Sequence, residues 1–148
     1  YGLSTVLTGG SSSQERQFAV SIEQLAQNKM INVVGKSTLK ELLALLDRAV
    51  LVISPDTGPA HMANAVGTPV IGLYASSNPE RTGPYNYRQF TVNRYPEAVR
   101  HTFGKPVEEI PWGKRVRDPQ IMNIIKVEDV QAKIDQILCA KLAQRNNQ

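Results

Sequence analysis

The sequence predicts an α/β fold, a parallel sheet with flanking helices, and three observations predict it. Up to Tyr74, short apolar runs alternate with helical periodicity in the order β-α-β-α-β-α-β. The connections are a few residues long, and such alternation builds a parallel sheet through right-handed crossovers. Val50-Leu51-Val52-Ile53 is apolar throughout, which reads as a strand buried on both faces.

The totals agree with a folded domain. At 148 residues, 41% hydrophobic and 20% charged, the chain can bury roughly 70% of its unfolded surface. No apolar run approaches the ~20 residues that span a bilayer. The start Tyr1-Gly2-Leu3-Ser4 has no signal-peptide pattern, and its lack of Met fits a start inside a longer gene product or after processing. One cysteine, Cys139, excludes an internal disulfide and suits a reducing compartment. It falls on a helical apolar pattern, as a core or boundary residue. Seventeen Lys and Arg against 13 Asp and Glu give a net charge of +4. That balance favours an anionic ligand or lipid surface. It does not point to nucleic acid, since no tight basic cluster interleaved with aromatics is evident.

The first strand is expected over Leu3 to Leu7, closing on Thr8-Gly9-Gly10-Ser11-Ser12-Ser13. Helix follows over Gln14 to Gln27, with Ser13 as N-cap and Phe18, Ile22, Leu25 and Ala26 on one face. Gly9-Gly10 either lets backbone approach a ligand or serves a loop that needs positive φ. No G-x-G-x-x-G occurs. Ile31 to Val34 is the second strand, and a helix over Thr38 to Ala49 carries the stripe Leu39, Leu42, Leu43 and Leu46. Gly35-Lys36-Ser37 between them lacks the upstream glycine of a P-loop, because position 30 is Met.

The third strand ends in Ser54-Pro55-Asp56-Thr57-Gly58-Pro59-Ala60-His61. Thr57 or Gly58 can cap a helix and Pro59 suits its first position, which puts His61 in the first turn on the same rim as Asp56. Ligands of open parallel sheets bind beyond the strands' carboxyl ends, where helix N-termini attract anions. The same residues also make an ordinary strand–helix turn. Val70 to Tyr74 is the fourth strand, and Ala75-Ser76-Ser77-Asn78-Pro79 brings a second polar loop to that edge.

From Pro79 to Pro119 the periodicity dissolves, and an irregular insert is expected over 79–119. Within it, a short strand is predicted near Gln89 to Val92 and a helix over Pro96 to Phe103. Arg81 is either solvated or within reach of a bound phosphate, and Trp112 is read as anchoring its loop. A terminal helix over 127–145 places Val130, Ile134, Ile137, Leu138 and Leu142 on one face, and the tail 146–148 is expected to fray.

Ser54 to His61, with Gly67-Thr68-Pro69-Val70-Ile71-Gly72-Leu73-Tyr74 and Asn78-Pro79-Glu80-Arg81-Thr82-Gly83-Pro84-Tyr85, resembles the C-terminal half of bacterial lipopolysaccharide heptosyltransferases. These are glycosyltransferase family 9 enzymes of the GT-B fold. Thr8-Gly9-Gly10 before a helix fits as well, and the similarity runs from about Leu3 to Leu138.

The resemblance implies part of the Rossmann-like, donor-binding domain, lacking its first strand with the family's donor-site Lys. It implies inverting transfer of heptose from ADP-L-glycero-D-manno-heptose to the lipopolysaccharide inner core, in the cytoplasm or at the periphery of the inner membrane. ADP-heptose is then a substrate, with no separate cofactor. By motif match, Asp56 would hydrogen-bond heptose hydroxyls. Thr57 and Gly58 N–H groups would hold the diphosphate, with His61 beside it. Gly9, Gly10, Ser11, Ser76 and Ser77 complete the expected donor site. No catalytic residue is expected in this chain, since the family's proposed base belongs to the other domain. No metal site is expected, since His61 and His101 are isolated and Asp56 has no second acid at ligand spacing. Where many members carry Gly-Pro-Thr-Asp, this chain has Ala75-Ser76-Ser77-Asn78, which loosens donor identity.

If the intact strand order is 3-2-1-4-5, the missing strand is central. The neighbouring strands are then expected either to close the gap or to pair with another chain through open edges. Two rivals remain at this point: a transferase using a different sugar nucleotide, and a non-catalytic nucleotide-binding α/β module.

Overall fold

A computed structural model describes residues 1–146. Positions 147 and 148, where fraying is expected, lie outside the described residues. The chain is α/β, with parallel strands and flanking helices, and it divides into two compact units: Tyr1–Leu45, and the part from Leu46 onward.

In the first unit, β1 (Val6–Leu7) pairs in parallel with β2 (Ile31–Asn32), with Val6 opposite Ile31. Helix α1 (Ser13–Leu25) connects them. It is capped by Ser12 rather than Ser13, because Glu15 lies three residues after Ser12 and closes a reciprocal pair: the Glu15 N–H donates to Ser12 Oγ (3.2 Å), and Ser12 Oγ donates to Glu15 Oε2 (2.7 Å). The expected apolar stripe of α1 is not covered. Phe18, Ile22 and Leu25 are exposed, Leu25 at 84%, and the helix buries Ala19 instead. Two strands of two residues offer too little apolar face to cover a thirteen-residue helix. Gly35-Lys36-Ser37 is a turn: Gly35 has φ +69°, and Lys36 Nζ donates to the Asn32 carbonyl.

Helix α2 (Leu39–Arg48) starts one residue after Thr38, which makes a second such pair with Glu41. Of its predicted stripe Leu46 is buried, whereas Leu39 and Leu43 are exposed.

In the second unit, β3 (Val52–Pro55), β4 (Val70–Tyr74) and β5 (Val92–Asn93) form a parallel sheet in that order. Here the structure corrects the expectation of a doubly buried third strand. β3 lies at the edge of this sheet and leaves Ile53 46% exposed. The central strand is β4, where Val70, Ile71 and Tyr74 are fully buried. Helix α3 (Gly58–Ala65) links β3 to β4 and stops at Gly67 (φ +80°).

The segment 79–119 is more ordered than an irregular insert. It contains α4 (Pro79–Thr82), β5 and α5 (Tyr95–Phe103), whose Tyr95, Ala98 and Val99 form a buried cluster with Ala75, Val116 and Ile121. Its elements are short, so periodicity never accumulates along the sequence. Trp112 does not anchor its loop; it is 69% exposed.

Helix α6 (Val127–Asn146) seats Ile137 against Ile71 and Val92, with Val130 and Ile134 alongside, while Leu142 is exposed. Cys139, expected in the core or at its boundary, is exposed, since the buried stripe centres on Ile137. Among the described residues the strands fall into a two-stranded sheet, β1–β2, and a three-stranded sheet, β3–β4–β5. Among the described residues no helix is long and apolar enough to cross a membrane.

Candidate functional site

Parallel pairing of β3 with β4 brings the carboxyl ends of both strands to one edge, with Ser54 opposite Gly72 and Pro55 opposite Leu73. Asp56 follows β3 directly. Its side chain is 10% exposed and carries three neighbours. Oδ2 accepts from Thr82 Oγ1 (3.1 Å) and from Arg115 Nη2 (2.8 Å), while Oδ1 lies 3.8 Å from His61 Nε2. Two donors on one oxygen leave Oδ1 with spare acceptor capacity, turned toward the exposed imidazole.

Thr57 is the N-cap of α3, with φ −142° and ψ 165°, yet its side chain makes no cap bond. Its hydroxyl instead meets Ser54 Oγ at 2.9 Å, and the buried Ser54 Oγ also donates to the Pro55 carbonyl at 3.1 Å. The first turn of α3 therefore has no side-chain cap. A Cβ at Gly58 would meet nothing within 4 Å, so this terminus opens onto free space. An uncapped helix N-terminus of this kind favours anionic oxygens.

Beneath the rim stands Tyr74. Its hydroxyl donates to the Thr82 carbonyl (2.8 Å), and its pKa is pushed up to about 12, first by burial and then by the Asp56 carboxylate. In the loop after β4, Asn78 caps α4 by accepting the Glu80 N–H, and the Ser76 carbonyl accepts the Val116 N–H. Ser77 is 4% exposed and its hydroxyl has no hydrogen-bond partner among the described residues.

Residues 1–113 match the family model described as Glycosyltransferase family 9 (heptosyltransferase). The chain belongs to that family. It is 40% identical over 130 residues to the lipopolysaccharide core heptosyltransferase OpsX of Haemophilus influenzae, a match covering 88% of this chain and 38% of the relative. It is 33% identical over 153 residues to lipopolysaccharide heptosyltransferase 3 of Escherichia coli K12, covering 99% and 41% respectively. In fold it is similar to the crystal structure of the glycosyl transferase family 9 from Veillonella parvula DSM 2008, with TM-score 0.69 and 23% identity, covering 94% of this chain and 37% of that one. This family 9 chain thus spans about two fifths of the length of the curated relatives it matches.

Of the residues expected at the site, Asp56, Thr57, Gly58, His61, Ser76 and Ser77 lie in the second unit, and Asp56 and His61 are in contact. Gly9, Gly10 and Ser11 lie in the first. There the Gly10 N–H donates to Glu15 Oε1 (2.9 Å), and a Cβ at Gly10 would come within 2.8 Å of the same carboxylate. Neither glycine has positive φ; both are small because Val34 and Glu15 press against them. Hydrogen bonds from Ser12 and Gly10 hold the Glu15 carboxyl below its ordinary range, so this loop already carries an anion of its own.

The sequence reading missed Thr82 and Arg115 as partners of Asp56. Thr82 stands inside the Asn78–Tyr85 motif, but no local pattern ties Arg115 to a carboxylate 59 positions away. The run Lys114-Arg115-Val116-Arg117 was the available signal, a compact basic stretch that a search for interleaved aromatics passes over. Among the described residues no group of three His, Cys, Asp or Glu side chains is placed to hold a metal.

Proposed function

We propose that this chain supplies the donor side of an inverting glycosyl transfer, from ADP-L-glycero-D-manno-heptose to the lipopolysaccharide inner core, within a longer GT-B protein. The observation that carries the reading is the pairing of an uncapped α3 N-terminus with a held, acceptor-rich Asp56 on one rim. The N–H groups of Thr57 and Gly58 suit diphosphate oxygens, with His61 alongside. A carboxylate beside a diphosphate would repel it. Arg115 and Thr82 offset that charge on Oδ2 and leave Oδ1 to accept from sugar hydroxyls.

In such a transfer the acceptor oxygen attacks the anomeric carbon as the bond to ADP breaks. Negative charge then grows on the departing diphosphate, where amides and cations already in place stabilise it more than they stabilise the bound donor. The acceptor and the base that activates it are assigned to protein outside these residues. Ser76 and Ser77 are assigned to the donor's outer edge as parts of the loop after β4, the Ser77 hydroxyl itself being buried. Gly9, Gly10 and Ser11 are assigned to donor binding as a loop of the first unit. A phosphate at Gly10 would have to displace Glu15. Work at the inner-membrane periphery and pairing through open strand edges belong to the same proposal.

The test is an amide NMR titration with ADP, UDP and ADP-heptose, on the wild-type chain and on Asp56→Asn. Shifts at Thr57, Gly58 and His61 that are larger for ADP than UDP, with extra heptose-dependent shifts lost in the variant, are the expected result. A preference for UDP would favour a different sugar nucleotide. A folded chain with no shift for any of the three would sink the donor reading.

A further inference from the structure

Beside the rim, still within the second unit, is a cleft of about 720 Å³ lined by Arg81, Lys114, Arg115 and Arg117 together with Thr102 and Asp118. All four side chains are exposed and solvated, and together they make this lining strongly positive toward an anion. Only one of the four is offset. Arg115 pairs with Asp56. Arg81 and Arg117 make no side-chain hydrogen bond or ion pair among the described residues, and Lys114 Nζ sits 5.6 Å over the Phe103 ring. Asp118, the single acid in the lining, forms no ion pair; its Oδ1 accepts the Gln120 N–H (2.8 Å).

The cleft is also built. Gly113 takes φ +79°, and a Cβ there would come within 2.5 Å of the Arg81 guanidinium, so only glycine lets Arg81 lie against this turn. The Tyr95 hydroxyl donates to the Lys114 carbonyl and the Val116 N–H donates to the Ser76 carbonyl, which fixes the basic loop to the buried cluster of α5 and to the loop after β4. These bonds hold the loop backbone at 114 and 116.

We propose that this cleft is an anion site for a phosphate group, a second site joined to the donor rim by the Arg115–Asp56 bridge. Guanidinium forks match tetrahedral phosphate oxygens, and the Thr102 hydroxyl adds a donor in the same lining. Two sources carry that chemistry, free inorganic phosphate or a phosphomonoester on the acceptor, since the donor's own diphosphate is assigned above to Thr57 and Gly58. The assignment of the rim rests on the function proposed above; phosphate binding in the cleft does not.

The experiment is an amide NMR titration of the chain with inorganic phosphate, ADP and glucose 6-phosphate, comparing wild type, Arg81→Gln/Arg117→Gln and Arg81→Lys/Arg117→Lys. Phosphate is expected to shift Thr102, Gly113, Lys114 and Arg115. The Gln pair should weaken it about tenfold, and the Lys pair less, since charge is kept while the fork is lost. A parallel loss of ADP affinity would place the nucleotide diphosphate in the cleft and overturn a second site. Unchanged ADP with weakened glucose 6-phosphate identifies a phosphomonoester. That result supports the site. Phosphate shifts elsewhere, no binding by the folded wild type, or equal affinity in the Gln pair overturns it. Asp56→Asn separates the two readings: it releases Arg115, so cleft phosphate should bind at least as tightly while heptose-dependent shifts at the rim disappear.

Discussion

Arg94 and Asp129 stand 35 residues apart and meet through two hydrogen bonds, Nη2 to Oδ1 at 2.6 Å and Nε to Oδ2 at 3.1 Å. Asp129 also accepts the Lys126 N–H, just ahead of α6. The Arg94 guanidinium is the main cause holding the Asp129 carboxyl below its ordinary value of 3.8. A lowered carboxylate pKa contributes stability that is complete above the unfolded value and lost as pH falls through the folded one. Asp129→Asn is therefore expected to melt below wild type at pH 7, with the gap closing as pH falls below 3.8. Parallel thermal melts at several pH values check this, and a gap that persists in acid would contradict it. The carboxyl of Glu41 shifts the same way, through the Thr38 backbone N–H and then its hydroxyl. Those two contacts were legible, because Thr-x-x-Glu before an apolar run signals a helix start. The Arg94 and Arg115 partnerships were not, since long side chains choose partners by proximity in space.

At the scale of elements, β4 is the best-buried piece of the second unit, and Gly72 within it has a steric reason. A Cβ there would lie 2.6 Å from Tyr74 Cε2, and the Tyr74 ring cannot swing away while its hydroxyl is held by Thr82. Gly72→Ala is expected to cost about 1–3 kcal/mol by overpacking, read as a lower thermal midpoint. An unchanged midpoint would show that the ring yields freely. β4 itself was predicted at its observed bounds, because Gly67-Thr68-Pro69 and the polar loop after Tyr74 punctuate it on both sides. The third strand shows the opposite outcome. Its apolar run fits burial on both faces, yet it sits at a sheet edge, and edge or centre is decided by pairing rather than composition. The exposed stripe of α1 makes the same point: periodicity says which side of a helix is apolar, and only the neighbouring elements say how much of it is covered.

For the whole molecule, the two units differ in what supports them. In the first, Ala19 and Val34 are the buried apolar residues, whereas the second buries two connected clusters across β4, α5 and α6. Local opening costs least where few apolar contacts must be broken. Amides of β1 and β2 are accordingly expected to exchange with deuterium at least about tenfold faster than those of β3 and β4. Equal protection across both pairs would refute this. The sequence alone determined the α/β class, the order of elements to Tyr74, the Asp56–His61 rim and the likeness to family 9, because each rests on local periodicity, capping or a contiguous motif. Tertiary structure alone decided that the strands form two sheets, that Thr82 and Arg115 converge on Asp56, and that Arg81, Lys114 and Arg117 share a cleft. Those contacts join positions 26 to 59 residues apart and depend on how the chain returns on itself, which local spacing does not encode.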